Sequence, residues 1–191
     1  DLMVAENARC HFRTRGWLNV FLSEAGAEEA ATEANLVRAL GFEVAVYSKS
    51  ELREREPAFG SAVAGAVHYR DSTSLDPLAF MQYLEKKLTD LGVEIRSGAE
   101  VTELIVDQDS CAGARLSSGA EIRGDNTVLA AGIWSTSLAA AAGVKLPMQA
   151  GKGYHLDLAE PSTPLKTPAV LLERAIAVAP LQGRLRLVPP R

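Results

Sequence analysis

The chain has 191 residues, 47% of them hydrophobic and 23% charged, with a formal net charge of -4. That balance suits a soluble globular protein with one good core or two small lobes, and it excludes the basic footprint that nucleic-acid binding needs. No apolar run approaches the roughly 20 residues of a membrane helix, no charged-then-apolar leader is visible, and Cys10 and Cys111 stand apart, without metal-ligand spacing, as free thiols.

Trp17 to Phe21 alternates and reads as a strand, and Ser23 is placed to cap an Ala- and Glu-rich helix that runs to about Leu40, where Gly41 stops it. Glu43 to Tyr47 is a second strand. Ser48-Lys-Ser-Glu51 has the spacing of a capping box and opens a short helix that Pro57 ends. Ala64 to Tyr69 is a third apolar strand; the glycines at 60 and 65 have the spacing of a phosphate loop, but no Lys-Ser/Thr follows.

Asp76-Pro77 opens the clearest helix, in which Leu78, Met81, Leu84, Leu88 and Leu91 fall at steps of three and four as one apolar stripe ending at Gly92. From there to Ser135 the chain reads as four strands: Val93 to Ser97, Glu100 to Asp107, Cys111 to Leu116, and Ala120 to Ala131 with a break near Gly124. The turns 107–110 and 117–119 separate them. The segment TVLAAG, residues 127–132, is apolar almost throughout, the pattern of a strand covered on both faces, and it delivers a small-residue turn into a helix from Ser135 to about Ala142. That corner presents backbone to a ligand in many α/β sheets; the alternative is an ordinary strand-to-helix corner. Gly153 to Leu158 alternates as an open strand, and Ile176 to Leu181 pairs with Arg184 to Val188 across Gln182-Gly183.

In order, the run ELREREPAF, the SLDP helix start, LGVEIRSGAEVTEL, TVLAAGIWS, and GKGYHLDL followed by AVAPLQGRLRL resemble the FAD-dependent amino-acid oxidoreductases, the group of D-amino-acid dehydrogenase, glycine oxidase and sarcosine oxidase. The resemblance covers about Gly16 to Val188. It implies an α/β fold with α+β character: a partial FAD-binding lobe of parallel strands with an antiparallel excursion, and a substrate lobe built on an antiparallel sheet. Residues 1–72 and 148–191 would belong to the substrate lobe and 73–147 to the FAD lobe. The intact protein would oxidise amino acids, D-amino acids first, in the cytoplasm or peripherally at the inner membrane. The alternatives are a non-catalytic small-molecule binding module, and a related flavoenzyme acting on 2-hydroxy acids or glycerol 3-phosphate.

The resemblance also implies site residues. The backbone of Val101 would meet the adenine edge of FAD, and Ala131, Gly132 and Trp134 would line its ribose and pyrophosphate. Tyr154 and His155 would stand on the wall above the flavin, with Ala177 and Ala179 on a neighbouring strand, and Arg174 or Lys152 would attract the substrate carboxylate. No catalytic acid or base and no metal ligand is assigned. No G-x-G-x-x-G turn occurs in the chain, so the expectation is an interior piece of a larger enzyme, inactive alone and without retained flavin, whose open sheet edges favour self-association.

Overall fold

The computed structural model describes residues 10–108 and 110–189. The turn expected at 107–110 includes Asp109, which lies outside the described residues. Two compact units form, one from the residues up to Leu91 together with those from Gly153 onward, the other from Gly92 to Lys152.

The larger unit is built on a seven-stranded sheet. Its strands are β1 (Trp17–Phe21), β2 (Val44–Ser48), β3 (Gly65–Tyr69), β7 (Leu156–Ala159), β8 (Ala169–Leu171), β9 (Ile176–Leu181) and β10 (Arg184–Val188), in the order β2-β3-β1-β8-β9-β10-β7. Pairing is antiparallel except between β1 and β8, which lie parallel with Leu18 beside Ala169. Alternation along the strands sorts side chains onto two faces. On one face Leu18, Val20, Tyr47 and Ala66 pack with Leu52 of α2 (Lys49–Arg55). On the other, Phe21 and Val67 pack with Ala30 and Ala34 of α1 (Glu24–Ala39).

The helix starts follow their caps. Ser23 accepts from Gly26 N–H at 3.1 Å, the Ser48–Glu51 capping box closes in both directions, and Asp76 accepts from the N–H groups of Leu78 and Ala79 ahead of α3 (Pro77–Asp90). Yet α3 buries none of its residues, and Leu78 and Met81 are each 61% exposed. A 3.6-residue stripe says which side of a helix is apolar, not that a surface is there to cover it.

The smaller unit carries a three-stranded antiparallel sheet, β4 (Val101–Asp107), β5 (Ser110–Leu116) and β6 (Glu121–Arg123), in that order, with α4 (Ser135–Ala141) packed on β4. Ile105, Leu138 and Ala139 are its buried apolar residues. Of the four expected strands, Val93 to Ser97 is absent among the described residues, and of Ala120 to Ala131 only the first part forms, as β6. Residues 93–97 are exposed and residues 125–131 lie outside any ladder among the described residues, the latter alternating from Thr127 between half-buried and exposed, with Val128 88% exposed. The apolar run at 127–132 therefore is not covered on both faces within the described residues. Strand-like composition suits a segment for pairing, but the ladder exists only where a neighbouring strand supplies hydrogen-bond partners. Similarly, residues 153–155 precede β7 rather than belonging to it.

The fold class is thus mixed α/β: a mixed sheet flanked by helices and a separate antiparallel sheet. No helix among the described residues is long and apolar enough to cross a membrane.

Candidate functional site

In the smaller unit, Val101 opens β4, an edge strand whose outer backbone groups face no other strand among the described residues. Ala131 caps a short 3-10 turn, Gly132 to Trp134, which runs directly into α4; Trp134 N–H donates to the Ala131 carbonyl at 3.2 Å. Because α4 packs on β4, Val101 and the 131–134 turn lie on adjoining elements of one unit.

Gly132 has φ +56°, and nothing lies within 4 Å of where a Cβ would stand. Its backbone is open, and any other residue there would be strained. Trp134 is 73% exposed, an unusual position for a large aromatic without a covering partner. Two residues on, the Thr136 hydroxyl is buried without a hydrogen-bond partner. An orphaned buried hydroxyl, an open glycine turn and an exposed indole together fit one edge of a flat, polar-rimmed ligand such as a dinucleotide. The cradle for a pyrophosphate is not among these residues, since no G-x-G-x-x-G turn occurs in the sequence.

In the larger unit, strand register decides which predicted residues meet. Leu156 of β7 pairs with Leu187 of β10, and Leu187 with Val178 of β9. The segment Tyr154–His155, the start of β9 and Arg174 just before it therefore gather at one end of the sheet. Tyr154 is 69% exposed. Arg174 closes a 3-10 turn, Leu172 to Arg174, followed by Ala175 in the left-handed region at φ +50°.

Ala177 and Ala179 share a face with Asp157 and Arg186, because Arg186 pairs with both Ala179 and Asp157. On that face Asp157 takes a two-pronged contact from Arg186 at 2.8 and 2.9 Å, and Arg184 stands 3.3 Å from it and 3.8 Å from Asp76. The Arg186 hydrogen bonds hold the Asp157 carboxyl below its ordinary range, outweighing desolvation, with Arg184 and His155 adding a smaller pull. Sequence reasoning did not single out this ion cluster. Its signal was the alternation in Arg184-Leu-Arg186-Leu and Leu156-Asp-Leu158, which puts the charged residues of both strands on one side. Among the described residues no group of His, Cys, Asp and Glu is arranged to hold a metal ion.

The sequence pattern of a family described as "DAO: FAD dependent oxidoreductase" matches residues 1–189. A D-amino acid dehydrogenase of Paramagnetospirillum magneticum is 33% identical over 149 residues, 76% of this chain and 35% of the relative. Among solved structures, glycine oxidase from Geobacillus kaustophilus superposes with a TM-score of 0.81 at 22% identity, over 97% of this chain and 50% of that one. L-proline dehydrogenase from P. horikoshii superposes with a TM-score of 0.80 at 15% identity, over 98% and 51%. Those two likenesses show a shared fold. The chain spans about a third of the length of the curated relative and about half that of the solved structures.

Proposed function

We propose, on the premise that the chain belongs to the FAD-dependent oxidoreductase family, that it is part of an enzyme oxidising amino acids, D-amino acids first. The FAD would accept hydride from the substrate α-carbon, leaving an imine that water hydrolyses to a keto acid and ammonia. The observation that supports this substrate class is the 33% identity to a D-amino acid dehydrogenase over three quarters of the chain.

In this reading residues 73–147 serve the cofactor and residues 1–72 and 148–191 the substrate. The Val101 backbone, on an open strand edge, hydrogen-bonds the adenine rim. Ala131 and Gly132 let a ligand approach the main chain closely, and Trp134 covers it with an aromatic face. Arg174 and the Tyr154 hydroxyl bind and orient the substrate carboxylate, a pairing that a guanidinium makes through two N–H groups. His155 stands beside them as a further polar group of the wall. Cation and hydroxyl fix the position of the α-carbon, which is most of what a protein contributes when the cofactor carries the hard step.

The 191 residues alone would hold one edge of the cofactor, so flavin is retained by the longer protein and not by this piece. The sheet edges at β2, β7, β4 and β6, which pair with no further strand among the described residues, favour self-association of the isolated piece. A cytoplasmic location fits the same reading.

The test is steady-state turnover of the intact protein with D-amino acids, L-amino acids, 2-hydroxy acids and glycerol 3-phosphate. D-amino acids are expected to be the preferred substrates, with Arg174→Ala and Tyr154→Phe raising KM more than they lower kcat. Turnover confined to hydroxy acids or to glycerol 3-phosphate would overturn the substrate assignment.

A further inference from the structure

The larger unit contains a cavity that the proposed reaction does not use. Leu18 pairs with Ala169 and Ala169 with Val178, so these side chains share one face of the sheet while Ala177 and Ala179 point to the other. His68, beside Leu18, and Tyr47, beside Ala66, lie on the Leu18 face. Between this face, α2 and the segment entering β8 is a cavity of about 300 Å³. Leu18 and Leu52 lie buried beneath it, and Arg15, Arg55 and Lys166 are three cationic residues of its lining.

The lining is held by its own contacts. The Arg55 guanidinium lies 4.6 Å from the centre of the Tyr47 ring, the Tyr47 hydroxyl is 3.1 Å from His68 Nδ1, and His68 Nε2 is 2.8 Å from the Arg15 carbonyl oxygen. Glu56, the one carboxylate of the lining among the described residues, is buried and accepts the Lys166 backbone N–H at 2.9 Å. Lys166 Nζ donates to the Arg55 carbonyl at 3.2 Å. Three cations stand against one engaged carboxylate. A guanidinium suits a carboxylate in two-pronged contact, and the tyrosine ring and the methylene stems of the arginine and lysine side chains suit a short hydrocarbon. A bare inorganic anion would make no use of those stems.

We propose that this cavity binds a small organic carboxylate at a place separate from the amino-acid site. Arg15, Arg55 and Lys166 supply the charge, while the Tyr47 ring and the methylene stems of Arg55 and Lys166 meet the carbon chain. The volume is at the lower end of small-molecule sites, which fits a ligand of a few carbons.

Titration calorimetry of the intact protein with succinate, and separately with inorganic phosphate, tests the site. Saturable succinate binding is expected, weakened roughly tenfold or more by Arg55→Gln and by Lys166→Gln, each of which removes one charged contact, and unchanged by Arg174→Gln. Succinate is also expected to protect Lys166 from amine acetylation, read by peptide mass spectrometry. Absence of saturable succinate binding overturns the proposal. So does phosphate binding more tightly than succinate, or succinate binding that Arg174→Gln abolishes while Arg55→Gln leaves it intact.

Discussion

The Glu173 carboxylate accepts hydrogen bonds from both the backbone N–H and the hydroxyl of Ser23, at 3.1 and 2.9 Å, across 150 residues of sequence. It also accepts the Leu22 N–H at 2.9 Å. Ser23 caps α1, so one carboxylate from the turn between β8 and β9 ties down the end of β1 and the start of the helix that follows it. The parallel β1–β8 contact thus has a polar clasp beside its ladder.

Replacing Glu173 by Gln is expected to destabilise the larger unit by about 1 kcal/mol. The bonds are charge-assisted, but the residue is exposed and solvent screens part of their strength. Burial pushes the Glu173 carboxyl up, while the bonds from Leu22 and Ser23 outweigh it and leave the value below the ordinary one. A depressed folded value gives stability that is present above the unfolded value and lost as pH falls through the folded one. The difference in thermal midpoint between wild type and Glu173→Gln should therefore shrink as pH drops below about 4, the ordinary glutamate range. A gap that stays constant into strong acid would show that charge plays no part in the clasp.

Gly26 sits in the first turn of α1, where Ala would ordinarily be the better helix former by about 1 kcal/mol. Here a Cβ would stand 2.5 Å from Glu173 Oε1 and 3.2 Å from Phe21 Cβ. Gly26→Ala is expected to displace the carboxylate and to destabilise wild type, yet to be neutral or stabilising in a Glu173→Ala background. Chemical denaturation of the four members of that cycle gives the coupling; strict additivity would refute it.

Tyr69 donates its hydroxyl to Glu33 Oε1 at 2.9 Å. Burial, and then the Glu33 carboxylate, push the phenol up to about 12. A raised folded value means stability fully present below the unfolded value of about 10 and lost as pH rises through the folded one. Ultraviolet titration should show one tyrosine ionising late, and Tyr69→Phe should remove that step. Ionisation of every tyrosine near the ordinary value would contradict the bond.

Gly132→Val places a β-branched side chain at a left-handed backbone position facing open space, at a strain of about 1–2 kcal/mol. If the turn carries the cofactor, the intact variant should purify with less flavin per protein, read from visible absorbance, and Gly132→Ala should lie between it and wild type. Full flavin content in the folded Val variant would remove Gly132 from the cofactor edge.

The helix starts were legible in the sequence because a cap is a contact between residues two or three apart: Ser23 with Gly26, Ser48 with Glu51, Asp76 with Leu78 and Ala79. The β9–β10 hairpin across Gln182-Gly183 was legible for the same reason, as was the family, whose marks lie in short runs along the chain. What the tertiary structure decided is everything that needs a distant partner. Only the fold placed β1 against β8, brought Glu173 to Ser23, and set Arg15, Arg55 and Lys166 around one cavity on the face away from Ala177 and Ala179. It also left residues 127–131 outside any ladder among the described residues and all of the α3 stripe but Leu84 exposed, although both have the composition of buried elements. Alternation and periodicity state which side chains share a face; a hydrogen-bond ladder or a covered face additionally requires a second surface, and no local pattern specifies where that surface comes from.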